Sequence, residues 1–483
     1  MVLVWYDICG TRSAAMTLWT EYAQQWQYLM YATVGYTLIV LTDSVVRKLR
    51  EKKKPYITCL LDSSLTICSY LGLSHWGRPN DISTAVQNAM KKTKLNDLGG
   101  NNKGVEMISR YTLVRNIGLE KSKARYSPLG HYIAMEVLQK RMECRLEFIE
   151  YLKKHPTIND VKVNSPVFVI GFPRTGTTYL HELLCEHPDI SFHRSWEQMD
   201  PVPKTDDENK DALSKDRAKR YESNRSRFNM LLTLAGDGVQ SIHRIGYDEA
   251  EECTTPCALE LPWSILELPL NVYATKELIE IGAGETFHFY KSFLQMMAWQ
   301  TKDRSRDFTW MLKCPFHLPY LKELNDAFPE ATIVWTHRNP VECIASACSL
   351  YETLLHVSFD THTIDKAALG KAVCEYTKLS LEKALDTIKK LGEKFKIIHV
   401  KYIETVKKPY EVCRNVIERA GLEYSAKYVE KLDTYNKKNQ EIREKLKAKK
   451  GGGVKLHEYS LEEYGLSQAD VAEMFQSYIE GYC

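Results

Sequence analysis

A short apolar strand that runs directly into a glycine-rich turn and a helix is the feature of this sequence that most constrains its fold. Residues 166–170 form a continuous apolar run with β-branched side chains, and Gly171 follows at once. Such a run is typical of a parallel strand that is buried on both faces. Similar runs occur at 308–312, 332–336 and 397–400, separated by stretches with helical periodicity. The pattern predicts an α/β fold in which helices cover both faces of a parallel sheet.

The turn after the first run has the spacing of a phosphate-binding loop. A strand, a tight glycine loop and a helix N-terminus together direct backbone N–H groups at a bound oxyanion. Position 177 is threonine where the nucleoside-triphosphatase pattern requires lysine, and the cation stands earlier, at Arg174. The predicted anion-binding residues of this P-loop-like turn are Arg174, Thr175, Gly176, Thr177 and Thr178. A purely structural connection between strand and helix is the alternative interpretation.

A second predicted strand, 332–336, also leads into a helix. Arg338 follows the strand, and Ser346 lies about two turns into the helix. Ligands of open parallel sheets bind outside the carboxyl ends of the strands, so Arg338 and Ser346 could share one anion there. A surface arginine and an internal helix serine are the alternative.

These two segments resemble the nucleotide-binding motifs of sulfotransferases that use 3′-phosphoadenosine 5′-phosphosulfate, PAPS. Residues 166–188 are similar to the 5′-phosphosulfate loop, in the Pro-Arg-x-Gly-Thr-Thr variant of tyrosylprotein and bacterial sulfotransferases. Residues 334–346 resemble the 3′-phosphate motif, in which Arg338 and Ser346 would hold the ribose 3′-phosphate. The resemblance extends from about Gly104 to the C-terminus. It implies that a sulfuryl group moves from PAPS to a hydroxyl, releasing adenosine 3′,5′-bisphosphate, without a metal.

The resemblance also implies which residues perform the chemistry. Arg174 and the loop amides would stabilise the charge that develops on the leaving phosphate, and Lys313 would contact the transferring group. Glu197 would be the general base for the acceptor hydroxyl. Alternatives remain open for two of them: Lys313 as a surface cation, and Glu197 as a helix cap or a partner of Arg194. Rival bases are His193, His243 and the acidic segment 248–252, and acidic segments are usually solvated.

The sequence departs from the family pattern in ways that limit these expectations. Arg174 stands where cytosolic sulfotransferases have lysine, and their catalytic-histidine motif is not recognisable. Asn339 stands where this branch usually has aspartate, which puts the bracing of the Arg338 loop in doubt. A loose match of Lys449, Lys450 and Gly451 to a 3′-phosphate segment is better explained as a solvated basic stretch.

The N-terminal part falls outside the resemblance. Residues 22–42 carry no charged side chain, and this stretch is roughly as long as a helix that crosses a bilayer. A basic run at 47–54 follows it. A membrane-spanning helix would place the rest of the protein in the cytosol or on the cytosolic face of a membrane, with the Golgi lumen as the alternative. A buried or interfacial helix is the other interpretation. We predict an N-terminal helical extension at 1–103 and a sulfotransferase domain at 104–483.

Composition excludes several other functions. The 65 Lys plus Arg nearly balance the 62 Asp plus Glu, so binding of nucleic acid through bulk charge is not expected. The 13 cysteines include no Cys-x-x-Cys pair, which indicates neither a disulfide framework nor a zinc site and favours a reducing compartment.

The predicted acceptor is a small-molecule or lipid-like alcohol. Residues 259–273 would line the acceptor pocket, and the alternative is that they belong to the core. The rival function is a P-loop nucleotide-binding protein, either kinase-like or a silent PAPS-binding module.

Overall fold

The computed structural model of the protein describes residues 82–100, 102–242, 245–260, 268–301, 308–392, 395–449 and 460–483. These residues belong to one compact unit, Pro79–Cys483. The apolar segment 22–42 lies outside the described residues, so its membrane association and the localisation that follows from it stay predictions. Within the described part of the chain, every helix is too short or too polar to cross a bilayer.

The elements are numbered in chain order. The first half contains α1 (Ile82–Thr93), α2 (Lys103–Ser122), α3 (Pro128–Lys154), β1 (Val167–Ile170), α4 (Thr177–Cys185), β2 (Ile190–Ser191), α5 (Ser195–Met199), α6 (Lys210–Ile242), α7 (Thr254–Cys257), α8 (Leu268–Tyr273), α9 (Thr275–Ile281) and α10 (Thr286–Trp299). The second half contains β3 (Thr309–Lys313), α11 (Leu321–Ala327), β4 (Thr332–His337), α12 (Pro340–Ser358), α13 (Lys366–Leu391), β5 (Lys396–Lys401), α14 (Tyr402–Lys407), α15 (Pro409–Arg419), α16 (Ala426–Lys449), α17 (Gln468–Met474) and α18 (Gln476–Tyr482).

The five strands form one parallel sheet in the order β2-β3-β1-β4-β5. The four strands predicted from apolar runs are confirmed as β1, β3, β4 and β5. Strand β2 was not predicted, because it has only two residues, both partly exposed, and carries no apolar run. The predicted α/β architecture, a parallel sheet flanked by helices, is therefore confirmed.

Successive side chains of the central strands alternate between two apolar cores. In β1, Phe168 and Ile170 belong to the larger core, whereas Val167 and Val169 belong to the smaller one. The smaller core contains leucines of α4 together with apolar residues of α15 and α16. All four residues of β1 are buried because both faces of the sheet are covered. This double burial explains why β1, β3 and β4 appear in the sequence as continuous apolar runs, whereas the edge strand β5 alternates between buried and exposed positions.

Helix α3 precedes β1 and buries apolar side chains along its length. It begins at Pro128, after Ser127 accepts a hydrogen bond from the Gly130 amide at 3.1 Å, an N-cap followed by proline at the first helical position. Helices α1 and α2 pack against α3 in a third apolar cluster. Helices on both sides of residue 103 thus contribute to one core.

Candidate functional site

The carboxyl ends of all five strands meet at one edge of the sheet. Because the strands are parallel, the strand order sets the order of the segments that follow them. Along this edge lie Tyr402 after β5, Arg338 after β4, the 171–178 loop after β1, Lys313 at the end of β3, and Arg194 beyond β2. The predicted site residues Arg174, Arg338 and Lys313 therefore share one edge.

The loop after β1 needs glycine at two positions. Gly171 has φ 154°, and a Cβ there would lie 2.4 Å from Thr336 Oγ1. Gly176 has φ 88°, and a Cβ there would lie 2.6 Å from the ring of Tyr402. The loop also holds Arg174 at φ 76°, a left-handed conformation that is uncommon outside glycine. Both glycines therefore allow the chain to turn tightly between β1 and the helix that follows.

Thr175 anchors the loop to the sheet. Its side chain is fully buried, and its hydroxyl donates to the Phe172 carbonyl at 2.9 Å and pairs with Thr336 Oγ1 at 2.7 Å. With the Thr175 proton directed at Phe172, the single proton of Thr336 serves either Thr175 Oγ1 or the carbonyl of Ile170, which lies 3.2 Å away. The Thr175 hydroxyl therefore positions the loop, which leaves the backbone amide as its group for a ligand.

Helix α4 begins at Thr177, with Gly176 as its N-cap residue and no side chain capping its first turn. The first N–H groups of a helix have no partner within the helix. Together with the positive end of the helix dipole, they form a site that favours an oxyanion. The amides predicted to bind the 5′-phosphosulfate thus occupy a helix N-terminus.

Arg174, Arg338 and Ser346 lie together beside the loop. Arg174 Nε donates to Ser346 Oγ at 3.0 Å, and Arg338 Nη1 donates to the backbone carbonyl of Arg174 at 3.3 Å. Arg338 also pairs with Glu342 at 3.0 Å, and its side chain remains 26% exposed. Two guanidinium groups and a hydroxyl therefore converge on one partly open place, as the resemblance to a 3′-phosphate motif implies.

Tyr402 is a site residue that the sequence analysis missed. Its ring lies against Gly176, and the guanidinium carbon of Arg338 is 4.1 Å from the ring centroid. The ring thus links Gly176 of the loop to the arginine that follows β4. The available signal was its position at the carboxyl end of a predicted strand, next to the strand that carries Arg338.

Asn339 replaces the expected aspartate without loss of the cap. Its side-chain oxygen accepts a hydrogen bond from the Val341 amide at 3.0 Å, at the N-terminus of α12. Asparagine and aspartate are nearly equivalent as N-cap residues. The start of the helix that carries Ser346 is therefore braced.

Lys313 is buried on the other side of the loop. Its ammonium lies 2.5 Å from Glu252 Oε1 and 3.5 Å from Thr178 Oγ1. Burial alone would lower the pKa of Lys313, but the carboxylates of Glu252 and Glu251 outweigh it and raise the pKa above its usual value. Lys313 is therefore a charged group next to the loop, which excludes the alternative of a surface cation.

Glu252 corrects the expectation that the segment 248–252 is solvated throughout. The Asp248 side chain is 60% exposed, but that of Glu252 is only 17% exposed and faces Lys313. The reason is backbone pairing, because the Cys253 amide donates to the carbonyl of Lys313 at 2.9 Å and draws this segment against β3.

Glu197 is buried, and its carboxylate is bound by other side chains. One oxygen accepts a hydrogen bond from the Arg194 amide at 2.9 Å in a capping box, and the other contacts Arg217. The Arg194 guanidinium is 3.8 Å away. Both structural alternatives for Glu197, the cap and the arginine pair, are thus present. Its contacts in the described part of the chain do not include the loop, and its role as a base stays a prediction.

The rival histidine is poorly suited to proton transfer. His193 is buried, pairs with the Tyr290 hydroxyl at 2.8 Å, and has a pKa lowered by burial to about 3. A base with so low a pKa takes up a proton weakly at neutral pH. His243 lies outside the described residues.

The remaining candidates fall into two groups. Leu259, Leu268 and Tyr273 belong to the main apolar core, and 261–267 lie outside the described residues. Lys450 and Gly451 also lie outside them.

Among the residues that the structure covers, no His, Cys, Asp or Glu side chains cluster as metal ligands. The ten cysteines in that same portion are all free.

Comparison with known proteins agrees with this geometry. The model of the Sulfotransferase family matches residues 166–426, more than half of the chain. The omega-hydroxy-beta-dihydromenaquinone-9 sulfotransferase Stf3 of Mycobacterium bovis is 24% identical over 281 residues, which cover 57% of this chain and 67% of that protein.

Two solved structures share the fold. Sulfotransferase STF1 from Mycobacterium tuberculosis superposes with a TM-score of 0.64 and 22% identity, over 83% of this chain and 100% of that one. Sulfotransferase STF9 from Mycobacterium avium gives a TM-score of 0.64 and 21% identity, over 82% of this chain and 95% of that one. At this identity the likeness concerns the fold.

Proposed function

The chain belongs to the sulfotransferase family, and from this premise we propose that it transfers a sulfuryl group from PAPS to the hydroxyl of a small-molecule or lipid-like alcohol. The observation that carries the proposal is the convergence of Arg174, Arg338 and Ser346 beside a helix N-terminus. That arrangement offers two separate anion positions, one at the loop and one between Arg338 and Ser346. A donor with a 5′-phosphosulfate and a 3′-phosphate needs both.

The loop also disfavours the rival function of a nucleoside-triphosphate-binding protein. Thr177 replaces the lysine that reaches the β- and γ-phosphates. An ordinary nucleoside triphosphate also has no 3′-phosphate for Arg338 and Ser346 to bind. The Pro-Arg-x-Gly-Thr-Thr motif favours the bacterial and tyrosylprotein branch within the family. We therefore propose PAPS as the donor and adenosine 3′,5′-bisphosphate as the released product, with no metal required.

The proposed reaction is an in-line displacement at sulfur. The acceptor oxygen forms a bond to sulfur, the bond between sulfur and the bridging oxygen of the 5′-phosphate breaks, and that phosphate leaves with the electron pair. In this proposal the loop amides, Arg174 and Thr178 stabilise the charge that develops on the leaving phosphate, and Lys313, 3.5 Å from Thr178 Oγ1, contacts the transferring group. The acceptor proton passes to a carboxylate base.

Two carboxylates are candidates for that base. Glu197 follows from the family resemblance, but in the structure its oxygens bind Arg217 and the Arg194 amide. Glu252 is supported by its direct contact with Lys313. We favour Glu252 because a base must lie within hydrogen-bond reach of the acceptor, which attacks beside the group that Lys313 contacts.

Apolar alcohols are the acceptors that we propose to test first. The relative Stf3 is named for a menaquinone-derived substrate, and the apolar segment 22–42 of this chain would suit an enzyme that takes its acceptor from a membrane. A soluble sugar or a peptide tyrosine would be a poor acceptor under this proposal.

The test is transfer of radiolabelled sulfate from PAPS to a panel that contains a long-chain alcohol, a sterol, an aryl alcohol, a sugar and a tyrosine peptide. Transfer to an apolar alcohol, abolished in Glu252→Gln with binding of adenosine 3′,5′-bisphosphate retained, is the expected result. Loss in Glu197→Gln alone would return the base role to Glu197. Donor binding without transfer to any acceptor would support a silent PAPS-binding module instead.

A further inference from the structure

A cavity of about 510 Å³ lies beyond β2, on the far side of Lys313 from the Arg338 clamp. Its walls come from α5, α6 and the residues after α10, and include Arg194, Trp196, Arg217, Ala218, Tyr221 and Gln300. A volume in this range is typical of pockets that bind small molecules. None of the candidate donor-binding residues lines it.

The register of the sheet places this cavity close to the transfer site. Ser191 pairs with Trp310, and Arg194 and Lys313 each stand three positions further along their chains. The segment after α6 lies between Arg194 and Lys313. Ala250 pairs with Arg194 in an isolated antiparallel β-bridge, and the Cys253 amide donates to the carbonyl of Lys313. With neighbouring strands roughly 5 Å apart, the backbone at the cavity wall lies on the order of 10 Å from Lys313.

In-line displacement requires the acceptor to come from this side. The attacking oxygen must approach sulfur opposite the leaving phosphate, and the donor groups occupy the β1, β4 and β5 positions of the edge. The acceptor therefore has to reach Lys313, whose side chain is 2% exposed, from the side of β3 and β2. This is the side on which the cavity lies.

The walls combine flat apolar surface with hydrogen-bond donors. The guanidinium carbon of Arg217 is 4.9 Å from the centroid of the Trp196 ring, and Tyr221 contacts that ring edge-on at 5.4 Å. Arg194 adds a second guanidinium, which pairs with Asp248, another lining residue, at 3.2 Å, while Arg217 contacts Glu197. Each guanidinium has five N–H donors, so donors remain for a ligand oxygen beside these carboxylates.

We propose that this cavity is the acceptor subsite, and that it binds a flat apolar group carrying a hydrogen-bond-accepting oxygen, remote from the hydroxyl that is sulfated. The inference rests on the proposed function and adds the chemical class of the acceptor. Trp196 and Tyr221 contact the flat body, whereas Arg194 and Arg217 donate to the oxygen. That oxygen belongs either to a neutral carbonyl or to an anionic group.

Three fluorescent naphthalenes with the same flat core test the proposal on the full chain. Anilinonaphthalene sulfonate carries an anionic oxygen group, prodan carries a neutral carbonyl, and N-phenylnaphthylamine carries no oxygen. We expect the sulfonate, the carbonyl probe or both to bind at least tenfold more tightly than the amine. The better of the two identifies the source of the oxygen, and equal binding of all three would overturn the donor role of the arginines.

The variant Ala218→Trp fills the cavity from α6, and Lys219→Trp, at the adjacent exposed position outside the cavity lining, is its matched control. Ala218→Trp is expected to weaken binding of the preferred probe at least tenfold, whereas Lys219→Trp leaves it unchanged. With an acceptor that supports turnover, Ala218→Trp should raise the acceptor KM at least tenfold.

Both variants should retain affinity for adenosine 3′,5′-bisphosphate, which separates the two proposals. Retained nucleotide binding with a probe affinity indifferent to Ala218→Trp would overturn the acceptor subsite alone. Failure of the unmodified protein to bind the nucleotide would instead contradict the proposed function. Circular dichroism of each variant checks that it is folded.

Discussion

Glu252→Gln is the substitution that most sharply tests the buried pair at the transfer site. The side chain of Lys313 is 2% exposed and that of Glu252 is 17% exposed, so solvent screens their 2.5 Å contact weakly. Removing one partner of a buried ion pair costs about 3–5 kcal/mol, because the other charge loses its compensation. Glutamine keeps the shape and one acceptor oxygen, so we expect a loss of about 2–3 kcal/mol in the free energy of unfolding.

The partner variant Lys313→Met, combined with Glu252→Gln, measures the interaction between the two side chains. It removes the ammonium and retains an unbranched apolar side chain, so the double variant has no uncompensated charge. The double variant should therefore be more stable than the sum of the single losses predicts, by about 2 kcal/mol. Such a coupling energy measures the interaction itself and not the burial of either residue.

The assay is urea unfolding followed by circular dichroism at pH 7.5. The pKa of Lys313 is raised in the folded protein, so the stability that it contributes is complete below its ordinary value of 10.5 and declines only as the pH rises through the folded value. At pH 7.5 that contribution is constant. A Glu252→Gln loss below about 0.5 kcal/mol, additive with Lys313→Met, would refute the reasoning.

Two further substitutions test the loop and the buried histidines. Gly176 has a φ of 88°, which is unfavourable for alanine, and Gly176→Ala places a Cβ 2.6 Å from the ring of Tyr402. The guanidinium of Arg338 packs against that same ring. We expect at least tenfold weaker binding of adenosine 3′,5′-bisphosphate by calorimetry, with Gly481→Ala, where a Cβ meets open space, unchanged; equal affinities would exclude this contact as a constraint. Burial lowers the pKa of His317 from 6.5 to about 3, so the folded protein keeps this side chain neutral, whereas the unfolded chain takes up a proton below pH 6.5. The folded state therefore loses stability relative to the unfolded chain as the pH falls from 6.5 toward 3. His317→Leu should therefore gain about 2 kcal/mol relative to wild type between pH 7.5 and pH 5 in urea unfolding, and the same difference at both pH values would contradict it.

The parts of the fold that were predictable are those with a local signal. Strands β1, β3 and β4 were recognisable as apolar runs because both of their faces are covered, and β5 retains such a run at 397–400 although His399 is exposed at the sheet edge. Gly171 and Gly176 were recognisable because the loop requires their backbone conformations. Strand β2 was not, because two partly exposed residues leave no pattern. Its position beside β3 is set by pairing with residues more than a hundred positions away.

The site divides in the same way. Arg174, Arg338 and Ser346 were predicted by motif and strand-end position, and the fold brings them together. Tyr402 was not assigned to the site, and Glu252 was named only as part of the rival acidic segment 248–252, because the contacts of both residues are with residues distant in sequence. An acidic run is usually solvated, and only the backbone pairing at the end of β3 turns Glu252 toward Lys313.

The donor site is the central element of the account, and calorimetry with adenosine 3′,5′-bisphosphate, in parallel with ADP and with ATP plus magnesium, tests it most directly. We predict metal-independent binding that requires the 3′-phosphate. Arg338→Ala should weaken it roughly 10- to 150-fold, which corresponds to the loss of a charge-assisted hydrogen bond, while Arg110→Ala, on the exposed part of α2, leaves it unchanged. Preference for magnesium ATP, or indifference to Arg338→Ala, would contradict the sulfotransferase donor site.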